Sequence, residues 1–151
     1  MPLPGAQLSL KGRALRLLGN REQSRVELER KLAQHEQEPG QLQRVLDELQ
    51  AKGFIDEQRV VSSVLHRRAP RLGAMRIRRE LQGKGLAPAL VAEAVAQLKA
   101  TEVQRARAVW ERRFGEVPGD ARERARQARF LAARGFGGDV IRRVLNADFE
   151  E

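Results

Sequence analysis

The sequence predicts an all-α fold, with three tandem three-helix repeats stacked into an elongated, curved molecule. Three observations predict it. Apolar residues recur three and four positions apart along the chain, as on the buried face of an amphipathic helix. No segment of strand length alternates strictly between apolar and polar residues, and aromatic residues make up only 4% of the 151-residue chain. Leucines at corresponding points also recur with spacings of 49 and 50 residues, and a helix-ending motif is repeated after two of them.

The first repeat is predicted to contain helices at 10–20, 24–35 and 40–52. Ser24 is expected to cap the second of them, because Glu27 stands three residues later and completes a capping-box pattern. Leu28 and Leu32 lie four positions apart and form the apolar face of that helix. Gly53 follows the third helix and is expected to end it, since glycine readily adopts the left-handed conformation of a helix C-terminus.

The second repeat is predicted to contain helices at 56–69, 73–84 and 88–99. In the middle helix, Ala74, Ile77 and Leu81 are spaced to form a buried stripe. Gly85 is expected to stop that helix. Pro88 fits the first turn of the next helix, where the N–H that proline lacks would have no helical partner.

The third repeat is predicted to contain helices at 101–114, 120–134 and 138–147. Asp120 and Asp139 are candidate N-caps for the last two. Trp110 and Phe114 are four positions apart, and we expect them to pack inside this repeat. The alternative, that they stack on nucleic acid bases, is less favoured because single-strand platforms normally present several aromatic residues.

Three leucines at corresponding points, Leu32, Leu81 and Leu131, define the repeat period. The segment from Leu81 to Leu86 resembles the segment from Leu131 to Phe136, because each continues with a basic residue, a glycine and an apolar residue. Units of this size gain stability by stacking on their neighbours. The predicted divisions are a flexible N-terminal tail at 1–9 and repeats at 10–54, 55–99 and 100–151. A single compact bundle of nine helices is the alternative.

The charge of the chain predicts a polyanionic partner. Lys and Arg total 29 against 20 Asp and Glu, which gives a net charge of +9 and a pI near 11.2. The predicted middle repeat carries +5 of this excess, and the first and third carry +2 each. A surface with such an excess attracts phosphate backbones or acidic proteins through its long-range field.

The densest basic segment lies in the middle repeat, and we call its seven basic residues the basic patch. They are Arg67, Arg68, Arg71, Arg76, Arg78, Arg79 and Lys84, interrupted by one acid, Glu80. Arg76 and Arg79 are neighbours on one helix face, and guanidinium forks bind phosphate and carboxylate groups in bidentate fashion. The alternative is a solvated face, supported by ion pairs of Glu80 with Arg76 and Lys84 at four-residue spacing.

A second basic run lies in the third repeat. It consists of Arg122, Arg124, Arg126 and Arg129. Glu123 interrupts it and further acids are close by, so we interpret it as an ordinary charged helix face.

Motifs for catalysis and for cofactors are missing from the sequence. Cysteine is absent, which excludes disulfides and thiolate metal sites. His35 and His66 have no second metal ligand at a suitable spacing, and the segment around Lys84 lacks the spacing of a phosphate-binding loop. No run approaches the ~18 apolar residues of a membrane span. We therefore expect a monomeric cytoplasmic protein that is not an enzyme, with no metal, no cofactor and no membrane association.

Several motifs resemble those of the bacterial RecX regulatory proteins. The segments 52–57, 73–81 and 84–86 are similar to the middle repeat of that family, which has a Gly-apolar-apolar-Asp-acid turn followed by Arg-Ile, Glu-Leu and Lys-Gly-apolar pairs. Residues 126–131 and 134–136 resemble its third repeat, and 24–28 with 31–32 resemble its first. The resemblance spans roughly residues 11 to 147. It departs at Val60-Val61, where relatives commonly have an aromatic residue followed by Ala.

The resemblance implies a modulator of the RecA recombinase, acting in DNA repair, homologous recombination and the SOS response. Such proteins bind the groove of RecA filaments on DNA and depress ATP hydrolysis, strand exchange and co-protease activity. The basic patch, centred on Arg76, Arg78 and Arg79, would then meet the filament. Direct contact with single- or double-stranded DNA is expected to be weak. The alternative is a helical-repeat DNA-binding protein that acts directly on duplex or single-stranded DNA.

Overall fold

A computed structural model of the chain describes residues 8–146. Within these residues it contains no strand, one 3-10 turn at Ala33–His35 and nine α-helices. The helices are α1 (Leu10–Asn20), α2 (Arg25–Leu32), α3 (Gln41–Ala51), α4 (Glu57–Arg68), α5 (Ala74–Gly83), α6 (Pro88–Ala100), α7 (Glu102–Arg113), α8 (Ala121–Ala133) and α9 (Gly138–Leu145). The predicted all-α fold is confirmed. The predicted tail at 1–9 lies outside the described residues except for Leu8 and Ser9, and so does position 147.

The helix ends agree closely with the sequence prediction, and the largest difference is at the end of α2. The predicted helix 24–35 is α-helical only to Leu32, after which the chain tightens into the 3-10 turn. The N–H of Glu36 donates to the carbonyl of Ala33, three residues earlier. Helices often end in such a turn because it satisfies carbonyls that have no partner further along.

Contacts divide the described chain into two compact units. Unit 1 comprises the residues up to Val60 together with Lys84–Leu86, and unit 2 comprises Val61–Gly83 and the residues from Ala87 onward. The turn between α5 and α6 therefore packs with the first repeat, although it belongs to the second repeat in sequence. The exact boundaries of the three predicted repeats stay a prediction.

Unit 1 is held together by a leucine-rich core between its helices. The buried members are Leu10, Ala14, Leu28, Leu32, Leu42, Leu46, Leu49 and Ile55. The predicted capping box at the start of α2 is present. The Ser24 hydroxyl accepts from the Glu27 N–H at 3.1 Å, and the Glu27 carboxylate accepts from the Ser24 N–H at 3.0 Å. These two bonds satisfy two backbone N–H groups at the start of α2 that have no partner within the helix.

Unit 2 has a core between α7, α8 and α9. Its buried members are Ala106, Val109, Trp110, Leu131, Phe136, Ile141, Val144 and Leu145. The predicted burial of Trp110 is confirmed, and its indole N–H donates to the Gln127 side-chain oxygen at 2.8 Å. In α5, the predicted stripe of Ala74, Ile77 and Leu81 is buried. Its remaining face is therefore free to carry charge.

The two predicted N-caps of the third repeat have different outcomes. Asp120 caps α8, with its carboxylate accepting from the Glu123 N–H at 2.8 Å. The prediction that Asp139 is an N-cap is wrong, because α9 begins at Gly138 and its N-cap is Gly137. Asp139 instead lies in the first turn and pairs with Arg142. An acid there still opposes the positive end of the helix dipole.

A contact in unit 1, which we call joint 1, ties the turn at Lys84–Leu86 to the start of α2. The Ser24 hydroxyl donates to the Lys84 carbonyl at 2.6 Å. The next residue, Gly85, has a φ of +69°, and a Cβ there would lie 2.5 Å from a methyl carbon of Val26. Only glycine fits this combination of left-handed backbone and close approach.

A corresponding contact in unit 2, which we call joint 2, ties the end of α8 to the start of α5. The Gly73 N–H donates to the Arg134 carbonyl at 2.7 Å, and the Met75 N–H donates to the Gly135 carbonyl at 3.2 Å. Gly135 has a φ of +92°, and a Cβ there would lie 2.6 Å from the Arg76 Cβ. The recurring basic-Gly motif is thus the point at which a helix end closes onto an earlier repeat.

Candidate polyanion-binding surface

The basic patch forms where α4 ends and α5 begins, and six of its seven members lie in unit 2. Arg67 and Arg68 occupy the last turn of α4, where the helix dipole favours cations. Arg71 lies in the following turn. The other three arginines, Arg76, Arg78 and Arg79, lie on α5.

Five arginines of the basic patch are exposed and lack a carboxylate partner. They are Arg67, Arg71, Arg76, Arg78 and Arg79. No ion pair of these five guanidinium groups occurs within residues 8–146, and Glu80, the one acid in the patch segment, is already paired with Arg68. Uncompensated charge of one sign on one surface raises the local concentration of anions and accelerates their association.

Arg68 and Glu80 have a structural role inside the patch. The Arg68 guanidinium pairs with the Glu80 carboxylate at 3.0 Å, linking α4 to α5. Glu80 therefore does not form the pairs within its own helix that the sequence suggested. With Leu72, Arg76 and Arg79, this pair lines a shallow surface pocket of about 310 Å³. The pocket is large enough for a phosphate or carboxylate group between two unpaired guanidinium groups.

Arg76 combines an exposed charge with a place in joint 2. Its guanidinium donates to the Ala133 carbonyl at 3.2 Å, and its aliphatic stem packs against Gly135. A substitution at Arg76 therefore changes both the surface charge and the packing of unit 2. Arg78 and Arg79 have no such second role among the described contacts.

Lys84, the seventh member, lies in unit 1 and is paired inside it. Its ammonium group lies 3.2 Å from the Glu27 carboxylate, and the two side chains are only 12% and 11% exposed. Burial by itself raises the pKa of Glu27. Hydrogen bonds from Arg21, the Ser24 N–H and Lys84 outweigh burial and lower that pKa from 4.5 to about 2. The charge of Lys84 is thus compensated within joint 1.

A second cationic feature lies in unit 2, and we call it the guanidinium–phenyl cluster. It consists of Arg113, Arg126, Arg134, Phe114 and Phe130. The two phenyl rings are partly buried and meet edge to face, with centroids 5.4 Å apart. Guanidinium carbons lie over them at 4.8 to 5.5 Å from a centroid, in the range of cation–π contacts.

Sequence reasoning did not identify this cluster. It placed Phe114 in the interior and treated Arg126 as part of an ordinary charged face, yet Phe114 is only partly buried. The spacing of Arg126, Phe130 and Arg134 at four-residue intervals was the available signal. The sequence spacing could not predict the contribution of Arg113, because this residue lies on α7 and contacts the Phe130 ring of α8 only in the folded unit.

Features of other site classes are not found in the described part of the chain. Between residues 8 and 146, no group of three or more His, Cys, Asp or Glu side chains could hold a metal ion. In the same residues, no helix is long and apolar enough to cross a membrane.

The fold and this surface define an all-helical repeat protein with exposed arginines that have no carboxylate partner among the described residues. Its three repeats match the models of the first, second and third three-helix domains of RecX over residues 11–49, 56–95 and 100–145. The chain belongs to the RecX family of regulatory proteins.

Relatives over nearly the whole length support this assignment. The chain is 57% identical over 145 residues to the regulatory protein RecX of Leptothrix cholodnii, covering 95% of this chain and 92% of the relative. It is 47% identical over 145 residues to that of Ralstonia nicotianae, covering 96% of this chain and 91% of the relative.

Two crystal structures share the fold at low identity. A crystal structure of regulatory protein RecX aligns with a TM-score of 0.75 at 18% identity, covering 95% of this chain and 82% of that one. RecX from Lactobacillus salivarius aligns with a TM-score of 0.78 at 17% identity, covering 92% of this chain and 94% of that one.

Proposed function

We propose that this protein binds RecA recombinase filaments on DNA and inhibits their ATPase, strand-exchange and co-protease activities. The observation that carries the proposal is membership of the RecX family through all three helical domains, with relatives named as regulatory proteins. The protein acts by occupying its partner, as a monomer in the cytoplasm, without catalysis and without a cofactor.

The unpaired arginines of the basic patch supply the physical basis for the interaction. A nucleoprotein filament presents DNA phosphates and acidic side chains, and guanidinium groups donate two parallel hydrogen bonds to either. Arg67, Arg71, Arg78 and Arg79 meet such a partner without breaking an ion pair of the folded chain. Lys84 contributes through joint 1 rather than through contact, since Glu27 already neutralises it.

The test is a titration of the protein into a DNA-activated RecA ATPase assay, beside the double variant Arg78→Glu/Arg79→Glu. These two positions are exposed and make no hydrogen bond or ion pair among the described residues, so we expect the variant to keep the fold and reverse two charges of the patch. We expect inhibition by the unchanged protein at micromolar concentration. The variant should need at least about tenfold more protein, because two charge-assisted contacts become repulsive.

The matched control reverses two charges elsewhere, in the variant Arg16→Glu/Arg129→Glu. Both arginines are exposed and unpaired among the described residues, and neither belongs to the basic patch. The control should inhibit nearly as well as the unchanged protein. Absence of inhibition by the unchanged protein contradicts the proposed function, and equal inhibition by the patch and control variants contradicts the role of the patch.

Direct action on DNA is the competing function, and salt dependence separates the two. Binding to DNA phosphates weakens with salt with a log–log slope of about −0.9 for each duplex phosphate neutralised. A filament-directed inhibitor suppresses the ATPase at concentrations where it barely binds bare duplex DNA. Inhibition that instead follows the occupancy of bare DNA across a salt series favours the competing function.

A further inference from the structure

The guanidinium–phenyl cluster holds positive charge that the folded chain does not neutralise. Arg113 and Arg134 pair with no carboxylate in the described residues, and only Arg126 has an acidic partner, Glu123 at 3.0 Å. The guanidinium carbons of Arg113 and Arg134 lie 5.5 and 4.8 Å from the Phe130 centroid, so they are within about 10 Å of each other, close to the ~8 Å Debye length at physiological salt. Their mutual repulsion is relieved when an anion binds.

The comparison of the two joints points to the same surface. In joint 1, Glu27 and Lys84 form an ion pair between the two helix ends. The corresponding positions in joint 2, 49 and 50 residues later, are Arg76 and Arg134. Two cations thus replace a cation and an anion. In joint 1 the positive charge of Lys84 is neutralised by Glu27, whereas in joint 2 the positive charges of Arg76 and Arg134 remain available to an anion from outside the chain.

The phenyl rings restrict the positions of the arginine side chains and leave their N–H donors accessible. A guanidinium group stacked on a phenyl face keeps its N–H edges free to donate in its own plane. The ring also restricts the side chain, so less conformational entropy is lost when an anion binds. Arg113 and Arg126 are exposed and Arg134 is partly buried, so these donors face solvent from fixed positions along α7 and α8.

We propose that the guanidinium–phenyl cluster binds the phosphodiester backbone of single-stranded DNA, with Arg113 and Arg134 as the principal contacts. The proposal deepens the proposed function and rests on it, because it assigns the DNA strand of the filament as one partner of unit 2. In single-strand binding surfaces, cationic side chains follow the phosphate backbone. Here the covered rings hold the arginines in place for that contact and do not themselves meet bases.

An acidic protein surface fits this cluster less well. Protein interfaces gain most of their affinity from a few anchors, chiefly Trp, Tyr and Arg, that are fully desolvated in well-packed pockets at the centre of the interface. Here both rings are partly buried and covered by guanidinium groups, so no ring projects as an anchor. What the cluster offers is a row of planar donors, and this matches regularly spaced phosphates.

The test measures binding of a short fluorescent oligodeoxythymidylate by anisotropy at low salt, using the full chain. The variant Arg113→Gln/Arg134→Gln removes the two unpaired charges and keeps most of the side-chain length. We expect it to bind at least about tenfold more weakly. The slope of log binding constant against log salt concentration should also become shallower by about 1.4, because two phosphate contacts are lost and each contributes about 0.7 on a single strand.

Arg16→Gln/Arg129→Gln is the matched control, since it loses the same charge from exposed positions that lie over neither ring. It should bind within about twofold of the unchanged protein. Circular dichroism verifies that both variants are helical. Equal weakening in the two variants overturns the proposal, because charge alone would then explain the binding.

A second variant tests the stacked geometry and guards against misfolding. Arg113→Lys/Arg134→Lys keeps the charge but removes the planar fork, and we expect binding between that of the Gln variant and the unchanged protein. Binding equal to the unchanged protein overturns the role of the planar guanidinium forks. If the Gln variant keeps oligonucleotide binding but loses RecA inhibition, the cluster contacts recombinase rather than DNA. If the protein binds the oligonucleotide through the cluster yet never inhibits RecA, the proposed function fails, and only the assignment of the cluster as a single-strand binding site stands.

Discussion

Replacing Gly135 with alanine tests whether joint 2 depends on close packing between a helix end and an earlier repeat. The substitution adds one methyl group at a φ of +92°, where its carbon would lie 2.6 Å from the Arg76 Cβ and 2.7 Å from the Arg76 backbone nitrogen. Left-handed backbone costs a residue with a Cβ about 1–2 kcal/mol. Forcing extra volume into a packed contact costs about 1–3 kcal/mol more.

Gly115→Ala separates these two costs within the same unit. Gly115 also has a positive φ, +75°, but a Cβ there would meet nothing closer than the Glu111 carbonyl oxygen at 3.4 Å. Both substitutions reduce the entropy of the unfolded chain equally, so this effect cancels in their difference. We expect Gly135→Ala to lower the free energy of unfolding by about 1–3 kcal/mol more than Gly115→Ala.

Urea titration provides the measurement. The single tryptophan, Trp110, is buried in unit 2 and reports its unfolding by fluorescence, while circular dichroism follows the helices. Gly73→Ala is an independent check, because a Cβ there would lie 2.3 Å from the Gly135 carbonyl oxygen on the other side of the joint. If Gly135→Ala costs no more than Gly115→Ala, joint 2 is not the close contact described here.

Three further predictions concern groups that are buried and paired. Glu27→Gln should destabilise the protein by about 1–3 kcal/mol near neutral pH. Because folding lowers the Glu27 pKa from 4.5 to about 2, its contribution is present above pH 4.5 and lost as the pH falls towards 2, so the variant and the unchanged protein should converge in acid urea titrations. Trp110→Phe should cost about 1–3 kcal/mol by leaving the Gln127 oxygen without its indole donor, and adding Gln127→Leu should recover part of that loss in thermal melts. Arg105→Met should cost about 3 kcal/mol, since its guanidinium donates to three backbone carbonyls, whereas Arg129→Met should stay within about 0.5 kcal/mol in the same denaturation series.

The helices could be predicted from the sequence because their signals are local. The spacing of Ala74, Ile77 and Leu81 set the buried face of α5, and the capping box at Ser24 set the start of α2. Asp139 is not the cap because α9 begins at Gly138, with Gly137 as its N-cap, which leaves the acid inside the first turn. Local patterns thus locate a helix more reliably than they assign its terminal residue.

The candidate site was only partly predictable, because long-range contacts decide which charges remain free. The sequence places Glu80 four residues from Lys84, a spacing that favours an ion pair on one helix. In the folded chain Glu80 pairs with Arg68, and Lys84 pairs with Glu27, 57 residues away. No local pattern shows that Lys84 is neutralised in this way while Arg79 is not.

Because the chain is synthesised from its N-terminus, joint 1 can form only after most of unit 1 has already been made. Unit 1 includes Lys84–Leu86, which lie 24 or more residues beyond Val60, where its continuous part ends. A nascent chain that has emerged only through α4 therefore contains every buried residue of the leucine-rich core. The start of α2 is still exposed at that stage, because the Lys84 carbonyl that accepts from the Ser24 hydroxyl has not yet been synthesised. Completion of the first unit is thus coupled to the appearance of the turn after α5. A chain truncated before Lys84 leaves the Glu27 carboxylate without its ammonium partner and Val26 without the glycine that covers it.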